Sequence, residues 1–166
     1  MEQKKEFDIV SLIQNEHSAS LEKHDIIKKL IFDLLDRDNP WEDIKKFLSF
    51  FNDVLLKHFE DEGVVIKFLL DNKTITNAEA DIVNTVIKEH GVIIKRINQL
   101  NEAGKIYTAL LREVKEDFIA NAHDLIELVT KHANKEDAEF FPVARKLLSK
   151  TDLDEIRKTL EGKRNS

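Results

Sequence analysis

Apolar residues recur at intervals of three and four along four long segments of this chain, and that helical spacing constrains the fold more than any other feature. The strict alternation typical of β-strands is scarce. Four helices are therefore predicted, over about 8–35, 40–70, 76–100 and 106–148. Because short connections join long helices, neighbours should run antiparallel, and we predict an all-α fold, an antiparallel up-down-up-down four-helix bundle. The fourth segment is long enough for a break inside it.

Several residues mark where these helices should begin and end. In a capping box, a Thr or Asn side chain and an acid three residues later satisfy each other's backbone N–H groups. The candidates are Asn39 with Glu42 and Thr76 with Glu79. Gly104 is a candidate C-terminal cap for the third helix. Thr151 should start a short C-terminal helix, and the final residues "KRNS" should be mobile.

The composition fits one helix-rich domain over 1–166, with a core bundle over about 8–148 and the short helix and tail over 151–166. A formal net charge of −6 argues against a nucleic-acid or anionic-membrane partner. The sequence shows no apolar run of membrane-spanning length and no signal peptide, so we expect a cytoplasmic protein. Because cysteine is absent, any metal must be held by nitrogen and oxygen.

Each predicted helix turns at least one histidine toward the bundle interior. A helix advances about 100° per residue, so a histidine in phase with the apolar stripe lies on the buried face. The interior histidines are His17, His58, His90 and His132, and the interior glutamates one turn after two of them are Glu62 and Glu136. Burying six polar groups without partners is costly, whereas metal ions satisfy all of them together. We therefore predict a metal site built from these six residues.

The other two histidines are interpreted differently. His24 shares the stripe of the first helix but lies about 10 Å further along the axis than His17. It is expected to support the site or the core, with ligation in place of His17, or beside it, as the alternative. His123 is followed by Glu127 four residues later, yet it lies nearly opposite His132 on its helix and is interpreted as a surface residue. Asp61, at the edge of the second stripe, is a candidate acceptor for a ligand's N–H.

Each feature has an ordinary structural explanation when it is taken singly. A histidine with a glutamate four residues later is often a surface contact along a helix, and a single interior histidine is usually a hydrogen-bonded core residue. Their occurrence on all four helices favours metal. One spacing disagrees: His90 lies about a dozen residues before "NEAGK" and His132 nearly thirty after it, which calls for an irregular segment over 101–115.

Four short motifs carry a family resemblance. They are "NEH" with His17, "HFEDE" with His58 and Glu62, "KEH" with His90, and "HANKEDAEFFP" with His132 and Glu136. Over about 8–148 the chain resembles the hemerythrin-like HHE cation-binding domains. The first hairpin departs from the pattern, since no Phe-Pro follows Glu62, and the third helix has a single histidine at this position.

The resemblance implies a non-haem di-iron centre inside the bundle. It implies that His17, His58, His90 and His132 are terminal ligands, and that Glu62 and Glu136 bridge two Fe ions together with an oxo or hydroxo group. Zn and Mn also suit such ligands. Four histidines and two glutamates look closer to the bacterial iron–sulfur-repair di-iron proteins than to the oxygen-carrying hemerythrins, but the cysteine-bearing N-terminal segment of the repair proteins is absent here.

Three functions remain open from the sequence. The first is a di-iron protein that binds or senses dioxygen or nitric oxide, or that handles iron. The second is a di-iron enzyme, either a peroxidase or oxidase acting with peroxide or a reductant, or an iron-donating repair protein. The third is a metal-stabilised interaction module without redox chemistry. The first two need the same open site, so the sequence favours neither decisively, and it identifies no protein partner.

Overall fold

A computed structural model describes residues 8–33, 41–106 and 112–165, and all regular secondary structure in these ranges is helical. The α-helices are α1 (Ile9–Asp33), α2 (Trp41–Ser49), α3 (Leu56–Asn72), α4 (Asn77–Ile106), α5 (Arg112–Lys135), α6 (Phe141–Leu147) and α7 (Lys150–Arg164). The predicted all-α class is therefore confirmed for the described ranges. Within them, no helix is both long and apolar enough to cross a bilayer.

Two short π-helical segments continue α-helices without a turn. Phe50–Leu55 joins α2 to α3, and Glu136–Phe140 joins α5 to α6. The flanking residues keep right-handed helical backbone angles, so α2 and α3 form one continuous helix, and so do α5 and α6. We call each of these two long helices a rod, and likewise α1 and α4. A π turn accommodates one extra residue, and such turns often occur at functional sites. Within 112–147 the fourth segment therefore has no break, only a widened turn that starts at Glu136.

Two apolar clusters form the described core. The first cluster includes Ile27, Ile31, Phe47, Phe51, Ile93, Ile97, Phe118 and Leu125. The second cluster includes Val10, Ile13, Val65, Leu69, Val83, Phe140, Phe141 and Ile156. Along each rod, the predicted ligands fall between residues of the two clusters: His17 follows Ile13 and precedes Ile27, and His90 follows Val86 and precedes Ile93. The polar groups are therefore enclosed by apolar packing on both sides.

The third helix extends further than its sequence predicts. It continues through "NEAGK" to Ile106, so Gly104 is not its C-terminal cap. A Cβ on Gly104 would lie 2.9 Å from Leu48 Cδ1, and the glycine instead allows α4 to approach α2 closely. His90 now lies 16 residues before Ile106 and His132 lies 20 residues after Arg112. The expected mismatch between the positions of His90 and His132 is therefore small. Residues 101–106 and 112–115 are helical, not irregular.

The C-terminal helix also differs from the prediction. It begins at Lys150, with Ser149 as its N-terminal cap and Asp152 completing a capping box, rather than at Thr151. It extends to Arg164, whose Nη2 lies 2.7 Å from Asp61 Oδ2, so the helix includes Lys163 and Arg164 of the segment expected to be mobile. Ile156 and Leu160 of this helix are buried in the second cluster.

The two capping boxes that the sequence predicted have different outcomes. Thr76 and Glu79 form theirs: Glu79 Oε2 accepts from the Thr76 N–H at 2.8 Å, and Thr76 Oγ1 accepts from the Glu79 N–H at 3.2 Å. Asn39 lies outside the described residues.

Candidate metal centre

The six predicted residues converge in two groups. In the first group, His58 Nε2 lies 2.8 Å from His17 Nε2 and 2.9 Å from Glu62 Oε1. His17 Nε2 is also 3.4 Å from Glu62 Oε1 and 3.3 Å from Glu136 Oε2. Both glutamates are fully buried, with 0% of their surface exposed. Four ligand-type atoms from three rods therefore surround one small volume.

The second group lies beside the first and shares its two carboxylates. His90 Nε2 is 3.1 Å from Glu62 Oε2 and 3.2 Å from Glu136 Oε1. His132 Nε2 is 3.0 Å from Glu136 Oε1. In each group, atoms that could ligate a metal all lie within 4.8 Å of one another. Glu62 and Glu136 each face both groups, which is the arrangement expected of carboxylates shared by two ions.

Unsatisfied atoms in these groups fit a cation. Both carboxylate oxygens of Glu62, Oε2 of Glu136 and Nε2 of His132 are buried without a hydrogen-bond partner, although other polar atoms lie close by. Buried polar groups are seldom left in this condition. Metal–nitrogen and metal–oxygen bonds are about 2.0–2.2 Å long, so ligands at right angles around an ion lie about 3 Å apart. The separations in both groups match that value, and the residues present therefore fit metal ions.

A carboxylate lies behind three of the four imidazoles. The Nδ1 pairs are His17 with Asp137 at 3.0 Å, His58 with Glu16 at 2.7 Å and His132 with Glu89 at 2.8 Å. Because an ionised carboxylate only accepts, Nδ1–H donates in each pair and leaves an Nε2 lone pair free for a metal. His90 is positioned differently, by stacking on the Phe59 ring with centroids 4.1 Å apart.

Sequence reasoning missed Glu16 and Glu89 in this role, although the motifs contain a signal. Glu16 directly precedes His17, and Glu89 directly precedes His90. Each acid, however, accepts from a histidine on a different rod, Glu16 from His58 and Glu89 from His132. In both cases, the acid next to one predicted ligand in the sequence accepts a hydrogen bond from a different predicted ligand. Asp61, the acceptor suggested from the sequence, pairs instead with Arg164.

The carboxylates at the centre favour the protonated form of the neighbouring histidines. Burial opposes protonation of His17, but the nearby Glu136 and Glu62 carboxylates outweigh that effect and raise its pKa to about 10. The pKa values of His58 and His90 rise to about 9 by the same opposition, burial against hydrogen bonds to acids. Burial would raise the pKa of Glu136, yet its histidine partners lower it to about 2. The centre thus stays anionic in its carboxylates and binds protons or cations.

His24 and His123 lie outside both groups. His24 Nδ1 is 3.0 Å from Thr130 Oγ1 and its Nε2 is 3.3 Å from Ser20 Oγ. Burial, aided by the charge of Lys28, lowers the pKa of His24, which is therefore neutral near pH 7. His123 has a half-exposed side chain. The structure brings neither residue to the centre.

A cavity of about 400 Å³ reaches the centre from one side. Three predicted ligands, His17, His58 and His132, form part of its wall. His24 lies on the same wall, away from the two groups. A small molecule in this cavity would lie against these three histidines.

An all-helical protein with a buried cluster of histidines and glutamates of this kind belongs to the class of metal-binding proteins. The model of the hemerythrin HHE cation-binding domain matches residues 9–144, and the chain is therefore a member of that family. No curated protein and no solved structure matched the chain. The matched residues end before α7, so the helix that pairs with Asp61 lies beyond them.

Proposed function

We propose that this protein binds two iron ions, ligated by His17, His58, His90, His132, Glu62 and Glu136, and uses them to bind or sense dioxygen or nitric oxide. The observation that carries the proposal is the sharing of two fully buried carboxylates by two groups of ligand-type atoms. A single ion would leave one of the groups unsatisfied. Two cations account for all four buried atoms that lack hydrogen-bond partners.

We further propose that the four long rods form an antiparallel bundle around this centre. Contacts between α1 and α3, α3 and α4, α4 and α5, and α1 and α5 support a closed ring of four neighbours. The similar distances of His90 and His132 from their connection also support it. In such a ring every rod contributes a ligand at the same height.

The ligand chemistry favours iron but accommodates other metals. Imidazole and carboxylate without thiolate suit iron, zinc and manganese. A pair of iron ions would supply one-electron chemistry and affinity for small diatomic molecules, which zinc lacks. An oxo or hydroxo group between the ions belongs to the same proposal.

The protein's own residues keep the centre ordered and dry. Glu16, Asp137 and Glu89 orient three imidazoles through Nδ1, and Phe59 orients the fourth. The two apolar clusters exclude water above and below. Because Glu62 and Glu136 are completely enclosed, the proposed carboxylate ligands are shielded from solvent, which favours a resident cofactor over a role as iron donor.

The first test is metal content. Purified protein should contain two metal ions per chain, and His58→Ala and Glu136→Ala should each lose most of that metal and melt at a lower temperature. His123→Ala is the matched control, since its imidazole contacts neither group, and it should keep both properties. Normal metal content in both ligand variants would refute the proposed centre.

A second test separates the functions. Adding dioxygen or nitric oxide to the reduced iron protein should change its absorption spectrum, and removing the gas should reverse the change. Sustained turnover of peroxide with a reductant would favour the enzyme instead. A protein that takes up only zinc and does not respond to gases would support a metal-stabilised interaction module.

A further inference from the structure

The cavity beside the centre is much larger than a diatomic gas requires. Its volume is about 400 Å³. A water molecule occupies about 30 Å³ of liquid, and a dry protein cavity of about 150 Å³ is known to hold benzene. Pockets for small organic molecules begin at about 300 Å³. The size therefore suits a small organic molecule.

The walls indicate a ligand that is mostly apolar and carries no charge. Buried Phe50, Leu55, Phe59 and Val129 supply apolar surface. The charged residues lining the cavity are balanced: they are Lys23, Lys57, Arg164, Glu16, Asp53 and Asp61. Asp61 is already paired with Arg164, and Glu16 with His58. These six residues carry three charges of each sign, so together they favour neither an anion nor a cation.

His24 offers one hydrogen-bond acceptor in this wall. Thr130 Oγ1 donates its hydrogen to the Ile126 carbonyl at 2.8 Å, so it can only accept from His24. His24 Nδ1 therefore carries the hydrogen, at 3.0 Å from Thr130 Oγ1, and the lone pair on Nε2 can accept a hydrogen bond. Ser20 Oγ lies 3.3 Å from His24 Nε2, which is long for a hydrogen bond. A ligand hydroxyl inside the cavity could therefore donate to His24 Nε2 at a shorter distance than Ser20 Oγ does.

We propose that the cavity binds a neutral organic molecule with an apolar body and a hydroxyl end, and that the hydroxyl donates to His24 Nε2. The apolar body would fill the space between His24 and the histidines of the metal centre. The proposal names a class of ligand for the same site. It rests on the proposed function, because it takes the metal centre as the place where such a molecule reacts or is sensed.

Phenol and benzene are suitable probes, because they differ by the one hydroxyl. Binding to wild-type protein and to His24→Leu would be measured by calorimetry and by amide chemical shifts, with metal and after chelation. His24→Leu leaves Thr130 bonded to Ile126, so it orphans no buried donor. It should weaken phenol relative to benzene by about tenfold, the effect of losing the partner of a buried hydroxyl. His123→Leu, the matched control, should not change the ratio.

Ser20→Ala is the second variant and removes the hydroxyl that competes for Nε2. It should bind phenol at least as tightly as wild type. Weaker phenol binding in Ser20→Ala, an unchanged ratio in His24→Leu, or no saturable binding of either probe would overturn the inference. Because chelated protein is also measured, binding to the cavity is tested independently of metal. If the protein binds no metal, phenol binding can still support this inference. If the protein has full metal content but does not bind phenol, only this inference is rejected.

Discussion

Raising the pH of the metal-free protein from 6.5 to 9 is expected to destabilise it strongly. Three imidazoles of the centre have raised pKa values, about 10 for His17 and about 9 for His58 and His90. An unfolded histidine has a pKa near 6.5, so the folded state holds extra protons between these values. Their stabilisation is complete below about pH 6.5 and is lost as the pH rises through 9 to 10.

The magnitude follows from the number of protons retained. For each extra proton held by the folded state, the free energy of unfolding falls by about 1.4 kcal/mol for every unit by which the pH rises. The three raised pKa values allow up to three retained protons, and we count two, one for each fully buried carboxylate, Glu62 and Glu136. Two protons give a slope of about 3 kcal/mol per unit, or about 6 kcal/mol between pH 7 and 9. That loss is comparable to the whole stability of a typical domain, about 5–15 kcal/mol.

Urea unfolding of chelated protein, followed by circular dichroism at pH 6, 7, 8 and 9, measures this slope. His123→Ala should show the same slope, and His17→Ala a smaller one. Metal-loaded protein should behave oppositely, because the metal competes with protons for the same nitrogens and binds more tightly as the pH rises. Constant or increasing stability of the chelated protein over this range would refute the proton assignment.

Three further changes test separate parts of the structure. Glu89→Gln should lower metal affinity by about 10- to 100-fold in chelator competition, because it weakens the orientation of His132. Arg164→Ala should lower the free energy of unfolding by about 1 kcal/mol in urea, since it removes the partner of buried Asp61 while being half-exposed itself. Gly104→Val should cost about 1–3 kcal/mol by overpacking against α2, with unchanged metal content.

Each of these changes has a matched control. Glu127→Gln alters an acid that pairs with Lys28, away from the centre, and should leave metal affinity unchanged. Arg157→Ala removes a solvent-exposed pair with Asp154 and should change stability by less than about 0.5 kcal/mol. Gly162→Val introduces a Cβ that meets nothing within 4 Å. Equal effects in a variant and its control would show that the named contact is not the cause.

The meeting of the interior histidines could be predicted from helix phase alone. His58 shares a face with Phe51 and Leu69, so burial of the apolar residues also buries the imidazole. Glu62 follows one turn later on the same face. Because all four rods bury one face, residues in phase with the stripe must meet between them. Antiparallel direction needs the connections, and some of those residues lie outside the described ranges.

Other features could not be predicted because two physical causes give the same local pattern. A glycine after a long helical segment is compatible with a cap or with close packing, and only the position of Leu48 shows that Gly104 serves packing. A π turn adds one residue, which intervals of three and four conceal. The pairing of Glu89 with His132 joins residues 43 apart, so no local pattern contains it.

The widened turn at Glu136 has a consequence for protein engineering. Forcing 136–140 into a regular α-helix without removing the extra residue would rotate α6 by on the order of 100° relative to α5. Phe140 and Phe141, now completely enclosed, would swing toward solvent while His132 kept its place. A transplant of this site into an idealised scaffold must therefore carry the irregular turn along with the ligands.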